Sequence, residues 1–394
     1  MFSTLKIRRS FLIFIILFIF LNNLCFALKE NPLYVRILIL AEKNRFNIRI
    51  KGAFKLIDFK TDEVLFKGKD LNTTIFLSKQ GLIFIKDRSY SIDKILIEPK
   101  SNLFELERRK YRGKILIVKE NNLKFSVINF VPLEDYIKGI LHREASKRWP
   151  IEALKAQAVV SRTYALYTME NRKKFDYDLG KDIYSQVYGG VFAERFRTNL
   201  AVDLTKGKVL TYEGKIFPTY FHSTCGGHTE DASLLWNIDI MPLKGVTCNF
   251  CKNSPHFYWQ SVLELEKMEK LLSPFIKDGH IKDIVVVSKT ESGRIYQLKI
   301  ITHDGREIPI SAKDFRNTVG PNLIRSTNFT LKILGDKVYF EGIGWGHGVG
   351  FCQWGGYFMA KKGYRYKDIL KYYFPGSEIN DLDKLGYVSD ITSR

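Results

Sequence analysis

The stretch "PLEDYIKGILHREASKRWPIEALKAQAVVSRTYAL", residues 132–166, predicts the two helices around which the fold is organised. Apolar residues recur at helical spacing in its first half and define the buried stripe of a helix over 133–145. Pro150 suits the first turn of a second helix, which continues to about residue 172. Glu144 falls on the apolar side of the first helix, just before that helix ends, and its position there calls for an explanation.

The segments on either side of this helical pair predict an α+β protein. From about residue 32 to 130, runs of alternating apolar and polar residues predict strands. A separate β-rich piece follows, and then a strand, a glycine-rich loop and two helices. We expect a mixed β-sheet core with helices packed around a cleft. The expected units are a signal peptide (1–27), a β-rich N-terminal region (28–109), the first part of the core (110–256), an inserted β-rich subdomain (257–335), the C-terminal part of the core (336–376) and a tail (377–394).

The charge balance indicates an anionic partner. The chain has 62 Lys and Arg against 42 Asp and Glu, a formal net charge of +20, which favours nucleic acid, an acidic membrane surface or an acidic cell-wall polymer. The N-terminus predicts export, because basic residues precede an apolar run over 11–21 and a Cys25-x-Ala27 pair that is typical of signal cleavage. We therefore expect a periplasmic or cell-wall-facing protein with no nucleic-acid partner. If the segment stays uncleaved, it would instead anchor the chain to the membrane.

Glu144 has two interpretations. It could form a salt bridge with a nearby Arg or reach solvent at the helix end. Alternatively, burial on the apolar face, beside Trp149 and Pro150, would raise its pKa, and the helix C-terminus would also disfavour the ionised form. A carboxylic acid kept protonated beside aromatic rings is what a glycosidase needs to protonate a leaving oxygen.

The glycine-rich stretch "GIGWGHGVGFCQWGG", residues 342–356, also has two interpretations. Its glycines would let the backbone approach a ligand, its tryptophans would offer flat faces to sugar rings, and His347 and Gln353 would offer hydrogen bonds. The alternative is a tightly wound structural loop. The glycine spacing fits neither a phosphate loop nor a dinucleotide-binding fingerprint.

Two segments, 221–231 and 246–256, supply five metal-ligating side chains. The Cys-x2-Cys spacing is typical of half of a tetrahedral zinc site, and Cys225, His228, Cys248 and Cys251 would complete a closed structural set, with His222 in reserve. The alternatives are a disulfide, Cys248–Cys251 or Cys225–Cys248, or free thiols. No organic cofactor is expected.

Taken together, these stretches resemble the stage II sporulation protein D / amidase-enhancer (SpoIID/LytB) family. The resemblance rests on residues 132–166, "DIYSQVYGG" (182–190), "FHSTCGGHT" (221–229), "SGRIYQLKI" (292–300) and 342–376, and covers roughly residues 110–376. This chain has Leu141-His142-Arg143-Glu144 where the family commonly has V-P-x-E, and Phe351-Cys352-Gln353 where it often has M-S-Q. Both departures keep the Glu and the Gln.

The resemblance implies a peptidoglycan lytic transglycosylase that cleaves between N-acetylmuramic acid and N-acetylglucosamine and leaves 1,6-anhydro ends, on strands stripped of stem peptides. The family's catalytic glutamate maps onto Glu144, and some members bind metal near the "HSTCGG" region. The candidate sugar-binding residues are Arg162, Tyr164, Gln186, Tyr188, His347 and Gln353. Asp182 is the nearest candidate for a second carboxylate. An Arg within an apolar helix pattern is, alternatively, a paired structural residue.

Two other functions stay open. A non-catalytic wall-binding protein that enhances an N-acetylmuramoyl-L-alanine amidase would fit the same charge and aromatic residues. A zinc amidase or peptidase would need an open metal position, and H-E-x-x-H is absent from the chain. The expected partners are therefore peptidoglycan glycan strands and, in the first of these alternatives, a cell-wall amidase.

Overall fold

The computed structural model describes residues 32–121, 123–181 and 186–387, and it confirms the α+β class. The predicted signal segment, Asp182 and the last residues of the tail lie outside the described residues. Within the described part, no helix is long and apolar enough to cross a membrane.

The N-terminal region forms one ten-stranded antiparallel sheet. Its spatial order is β1-β10-β9-β6-β2-β3-β4-β5, with β7 pairing both β2 and β8. Strict alternation of buried and exposed residues along β2 explains why this sequence forms a strand with one face toward a core. The strands are β1 (Tyr34–Lys43), β2 (Arg45–Asp58), β3 (Val64–Leu77), β4 (Ile83–Ile85), β5 (Arg88–Tyr90), β6 (Lys94–Pro99), β7 (Leu103–Leu106), β8 (Arg109–Arg112), β9 (Lys114–Lys119) and β10 (Phe125–Pro132).

The two predicted helices follow the sheet directly: α1 (Leu133–Glu144) and α2 (Ile151–Asn171). The apolar stripe of α1 is buried in the same core as the inner face of the sheet. Pro150 precedes the first helical residue of α2, as its restricted φ favours. Because α2 is buried on nearly every side, it serves as the central element onto which the other helices and the second core pack.

The second core surrounds α2 and the C-terminal segments. The chain reaches this core through a 3₁₀ turn at Gly190–Ala193 and through α3 (Phe196–Asp203), whose Ala201 and Val202 are buried in the same core as α1. The elements that follow are β11 (Lys208–Tyr212), β12 (Lys215–Ile216), β13 (Phe221–His222) and α4 (Ala232–Trp236), with short 3₁₀ turns at Met241–Leu243 and Cys251–Asn253.

Residues 258–343 form a further unit with its own apolar core. Two three-stranded sheets, β14-β19-β18 and β15-β16-β17, pack with two helices. The elements are β14 (Tyr258–Glu264), α5 (Leu265–Ile276), β15 (Ile281–Lys289), β16 (Ile295–Thr302), β17 (Glu307–Ser311), α6 (Ala312–Val319), β18 (Phe329–Leu334) and β19 (Lys337–Ile343). The sequence analysis did not predict α5, although Met268, Leu272 and Ile276, all buried, repeat every four residues.

The chain then returns to the second core. Strand β20 pairs with β13 in parallel, with Phe221 opposite Phe351 and His222 opposite Cys352. This pairing brings the glycine-rich loop beside the "HSTCGG" segment. The remaining elements are β20 (Phe351–Cys352), α7 (Gln353–Lys361), α8 (Tyr366–Tyr373), β21 (Glu378–Asp381) and a 3₁₀ turn at Leu382–Leu385.

Candidate active site

Glu144 is the last residue of α1, and it is partly buried. Oε1 accepts a hydrogen bond of 3.0 Å from the backbone N–H of Val187. Burial raises the pKa of the Glu144 carboxyl, and the Val187 hydrogen bond opposes that rise. Among the residues that the structure describes, no Lys, Arg or His forms an ion pair with Glu144. The salt-bridge interpretation therefore finds no partner in the described part of the chain.

Gln353, the first residue of α7, fixes the backbone at Glu144. Its Nε2 donates to the Glu144 carbonyl oxygen at 3.1 Å and to Oε1 of Gln157 at 3.2 Å. Gln157 in turn donates to Oγ of Ser161 at 3.1 Å. Gln353 therefore joins the end of the glycine-rich stretch to the C-terminus of α1, and it contacts the protein rather than an open cleft.

Gln186 supports Glu144 from the other side. Its Oε1 accepts from the Tyr136 hydroxyl at 2.8 Å, and its Nε2 donates to the Ser161 carbonyl oxygen at 3.3 Å. Gln186 is only 1% exposed, so it is placed to hold the loop that carries Val187 rather than to bind a sugar.

Aromatic rings line the region next to Glu144. The ring of Trp149 lies 5.2 Å from that of Trp354 and 5.3 Å from that of Tyr357, between centroids. Trp354 lies 6.1 Å from His256, whose ring is 4.8 Å from Trp345. A row of rings, buried at Trp149 and partly exposed at Trp354, His256 and Trp345, thus leads from the neighbourhood of Glu144 toward residues 258–343.

Several glycines of the loop are required by packing. A Cβ on Gly350 would lie 2.3 Å from the carbonyl oxygen of Tyr220, and one on Gly348 would lie 2.5 Å from Cζ of Arg294. Both residues also have positive φ, which side chains rarely tolerate. The structural interpretation of the loop holds at these positions, while Trp345 and Trp354 belong to the aromatic row.

Arg162 is a correction to the predicted sugar-binding set. Its guanidinium is fully buried and donates to both carboxylate oxygens of Glu134, at 2.9 and 2.6 Å, and to the Lys208 carbonyl oxygen at 3.0 Å. No surface remains for a ligand, so Arg162 is the paired structural residue that the alternative described.

Tyr188 and His347 are likewise committed to the protein. The buried Tyr188 hydroxyl donates to Oδ1 of Asn129 at 2.9 Å. Nε2 of His347 lies 3.0 Å from the Phe221 carbonyl oxygen, and Nδ1 accepts from the Val349 N–H at 3.1 Å. Burial lowers the pKa of His347 to about 3, so the ring is neutral and both nitrogens are used.

Tyr164 remains partly exposed on α2, where its ring packs against Tyr220 at 5.9 Å. Burial raises the pKa of its hydroxyl. Nothing in the described contacts joins it to Glu144 directly, so its role as a sugar-binding residue stays a prediction.

A second cluster consists of four buried cysteines, Cys225, Cys248, Cys251 and Cys352, whose Sγ atoms all lie within 4.8 Å of one another. None of these four forms a disulfide. The cluster differs from the predicted set at one position, because Cys352 rather than His228 lies beside the other three cysteines. Nδ1 of His228 instead lies 2.6 Å from the Thr229 carbonyl oxygen.

Hydrogen-bond donors lie beside the sulfurs of the cysteine cluster, while burial raises the pKa of the Cys225 and Cys352 thiols. Backbone N–H groups of Cys225 and Gly355 each donate to Sγ of Cys352 at 3.3 Å. The Tyr373 hydroxyl lies 3.1 Å from Sγ of Cys248. Hydrogen bonds from Cys225 and the neighbouring thiols lower the pKa of Cys248. Four such sulfurs form a set that can bind a metal.

Sequence reasoning missed three contributors to these sites: the Val187 N–H, the Gln157–Ser161 pair and Cys352. The Val187 N–H is a backbone donor, and a backbone N–H cannot be recognised from residue type. Gln157 could have been found, because it lies four residues before Ser161 on an otherwise apolar helix.

Two family models and several relatives match this chain. The family model described as stage II sporulation protein matches residues 121–212, and a model described as a domain of unknown function matches residues 244–350. An uncharacterized protein of Brachyspira hyodysenteriae is 32% identical over 357 residues, covering 90% of this chain and 95% of that protein.

Two relatives from Bacillus subtilis have descriptive names. Stage II sporulation protein D is 30% identical over 268 residues, which span 64% of this chain and 76% of that protein. Amidase enhancer is 28% identical over 296 residues, which span 62% of this chain but 40% of that longer protein. On these relationships and on the motifs that surround Glu144, the chain belongs to the stage II sporulation protein D family.

Proposed function

We propose that the protein is a peptidoglycan lytic transglycosylase with Glu144 as its general acid and base. Membership of the family supports a cell-wall-related function. The observation that carries the finer proposal is a buried carboxyl group, with a raised pKa and no cation partner among the described residues, beside a row of aromatic rings. Burial raises the pKa of this carboxyl above its usual value, which favours the protonated form that a general acid requires.

The reaction needs one carboxyl group in two roles. Glu144 donates its proton to the glycosidic oxygen as the bond from that oxygen to C1 of muramic acid breaks through an oxocarbenium-like state. The 6-hydroxyl of the same sugar then attacks C1, and its proton returns to Glu144. Because the nucleophile belongs to the substrate, the enzyme ends the cycle in its starting protonation state.

The surrounding residues hold this carboxyl in place. The Val187 N–H binds the anion that exists between the two proton transfers, and Gln353 fixes the helix end through the Glu144 carbonyl oxygen. The partly exposed ring of Trp354, which packs against the buried Trp149, offers a flat face for a sugar.

Product analysis tests the proposal. Purified protein incubated with peptide-free glycan strands should release fragments with 1,6-anhydromuramic ends, each lighter by one water than the reducing end of a hydrolysis product. Mass spectrometry separates the two. Fragments with reducing ends would identify a hydrolase, and the absence of fragments would exclude cleavage of this substrate.

The second candidate is a non-catalytic wall-binding protein that enhances an amidase, which the name of one relative favours. It predicts that the wild-type protein stimulates an N-acetylmuramoyl-L-alanine amidase without releasing sugar fragments, and that Glu144→Gln stimulates equally. We place either activity on the cell-wall side of the cytoplasmic membrane, with glycan strands as the partner.

We also propose that the four cysteines hold a structural zinc ion. Zinc–sulfur bonds of about 2.3 Å in a tetrahedron imply sulfur separations of about 3.8 Å, which the cluster accommodates. All four positions are protein ligands and buried, so the site is closed, unlike that of a zinc amidase. Bound zinc would supply a cross-link between β20, the segment after β13 and the 248–251 turn.

Elemental analysis of purified protein tests the metal. We expect about one zinc per wild-type chain, loss of that zinc in Cys352→Ser, and retention in the matched variant His228→Asn. Chelation should lower the melting temperature. Zinc retained in Cys352→Ser but lost in His228→Asn would restore the original ligand set and contradict the proposal.

A further inference from the structure

The aromatic row that begins near Glu144 ends at a cation. Trp345 lies next to His256, and the guanidinium carbon of Arg325 lies 4.6 Å from the centroid of the Trp345 ring. Arg325 belongs to the unit formed by residues 258–343, whereas Glu144 belongs to α1. The two units therefore contribute to one continuous surface.

The backbone of Arg325 is held rigidly. Its carbonyl oxygen accepts hydrogen bonds from the Gly346 N–H at 2.8 Å and from Nη2 of Arg316 at 3.2 Å. Arg316 also donates to the Ile324 carbonyl oxygen at 2.9 Å. The position from which the Arg325 side chain extends is thus fixed both by the glycine-rich loop and by a buried guanidinium.

The Arg325 guanidinium itself is unpaired. Across residues 32–121, 123–181 and 186–387, no carboxylate lies within ion-pair distance of it, and its one recorded side-chain contact is the face of Trp345. Arg162 shows the contrast, because its guanidinium is neutralised by Glu134. A planar guanidinium that lies over a ring still presents N–H groups at its edge, in the fork that matches a carboxylate.

His256 adds no second charge at this place. Burial lowers its pKa, and the positive charge of Arg325 lowers it further. The ring is therefore neutral at neutral pH and offers a hydrogen bond and a flat face rather than a cation. The anion-binding capacity of the surface is concentrated on Arg325.

We propose that Arg325 binds a carboxylate of the saccharide bound along this row, namely the lactyl carboxylate of a muramic acid residue. The inference rests on the proposed function for the identity of the polymer. In intact peptidoglycan this group is amide-linked to the stem peptide, and it becomes an anion when the peptide is removed. Arg325 would then be the residue that favours peptide-free strands, although a stem-peptide carboxylate has the same chemistry.

A binding assay with a variant that cannot cleave the glycan distinguishes the lactyl carboxylate from a stem-peptide carboxylate. Full-length Glu144→Gln protein is titrated with three soluble glycan preparations: peptide-free strands, peptide-free strands whose lactyl carboxyl groups are reduced to alcohols, and peptide-bearing strands. We expect the peptide-free strands to bind most tightly. A second substitution in this protein, Arg325→Gln, should weaken the binding of peptide-free strands about 10- to 100-fold, which is the effect of losing one charge-assisted contact. It should leave the binding of the reduced strands unchanged.

Arg88 provides a matched control, because its guanidinium carbon lies 4.4 Å from the Phe66 ring centroid, in the N-terminal sheet. Arg88→Gln should bind all three preparations as the parent does, and Arg325→Lys should retain part of the preference. Equal binding by Arg325→Gln and its parent would overturn the inference. A loss confined to peptide-bearing strands would also overturn it, since the carboxylate would then come from the peptide.

The assay does not depend on turnover. If Arg325-dependent binding is found but the wild-type protein releases no anhydro ends, the proposed reaction fails and the binding site stands. If anhydro ends are released and Arg325→Gln binds normally, the reaction stands and the binding site fails.

Discussion

The two ends of helix α1 hold glutamates in opposite surroundings. At the N-terminal end, Glu134 receives three hydrogen bonds, two from the Arg162 guanidinium and one of 3.1 Å from the Gly207 N–H. At the C-terminal end, the Glu144 carboxylate receives one from the described residues, namely from the Val187 N–H. The Arg162 guanidinium neutralises Glu134, whereas no cation among the described residues pairs with Glu144.

Because of this difference, Glu134 and Glu144 are suited to different roles. The helix dipole favours an anion at the N-terminus, where Glu134 lies, and disfavours one at the C-terminus, where Glu144 lies. A carboxylate held by a guanidinium is a fixed charge that joins α1 to α2. A buried carboxyl group without a cation retains its proton more readily and can exchange it with a substrate.

The sharpest test of this contrast is the activity of Glu144→Gln. The amide has the same shape but cannot transfer the proton, so we expect cleavage of peptide-free glycan to fall about 10²- to 10⁴-fold. Glycan turnover per folded molecule is the measurement. Glu134→Gln is the matched control, and its folded fraction should cleave within a few-fold of wild type. Similar losses in both variants would break the comparison.

The free energy of unfolding should show the reverse order, with the larger loss in Glu134→Gln. Glu134→Gln removes the charge that compensates a fully buried guanidinium, and we expect the free energy of unfolding to fall by about 2–3 kcal/mol. The value lies at the low end for buried pairs because the Glu134 side chain is 23% exposed. Urea denaturation measures it. If Glu134→Gln unfolds at the wild-type urea concentration, the ion pair does not stabilise the fold.

Gln353 tests whether Glu144 must be positioned as well as buried. Gln353→Leu removes the hydrogen bond to the Glu144 carbonyl oxygen, and we expect kcat to fall about five- to tenfold with little change in KM. A matched exposed residue, Gln80→Leu, should leave both constants unchanged. A rise in KM alone would instead indicate that Gln353 binds the sugar.

The smallest expected effect is on the pH dependence of stability. Because burial raises the folded-state pKa of Glu144 above its unfolded value, the protonated group favours folding below the unfolded pKa, and this advantage is lost as pH rises through the folded pKa. Glu144→Gln should therefore gain stability relative to wild type as pH rises through the range between the usual pKa of a glutamate and the raised pKa of Glu144. Thermal melting at several pH values measures the difference. A constant difference across that range would mean that burial does not perturb this carboxyl.

Local sequence patterns predicted some features of the site and missed others. The helical spacing around Glu144 predicted the end of α1 to within one residue, because the period of a helix is local. The same reasoning placed Arg162 in a sugar-binding set, since spacing identifies a buried arginine but not its partner, Glu134, 28 residues earlier on another helix. The repeat in α5 was readable but was overlooked in a segment dominated by strands.

The fourth cysteine of the cluster could not be identified from local sequence patterns. Cys248 and Cys251 are close in sequence, and their spacing suggested ligands. Cys352 joins Cys225 across 127 residues only because β13 and β20 pair in parallel. No spacing rule distinguishes it from His228, which is only three residues from Cys225 but turns its Nδ1 toward the Thr229 carbonyl oxygen.

By itself, the sequence determined the elements and their buried faces, the two-helix unit of α1 and α2, and the candidate acid Glu144. Tertiary structure alone decided which polar groups are neutralised, which cysteine completes the cluster, and that Arg325 lies over Trp345. The physical reason is that periodicity and capping act over a few residues. The neighbours that set a pKa or a ligand shell come from strand pairing and helix packing between distant parts of the chain.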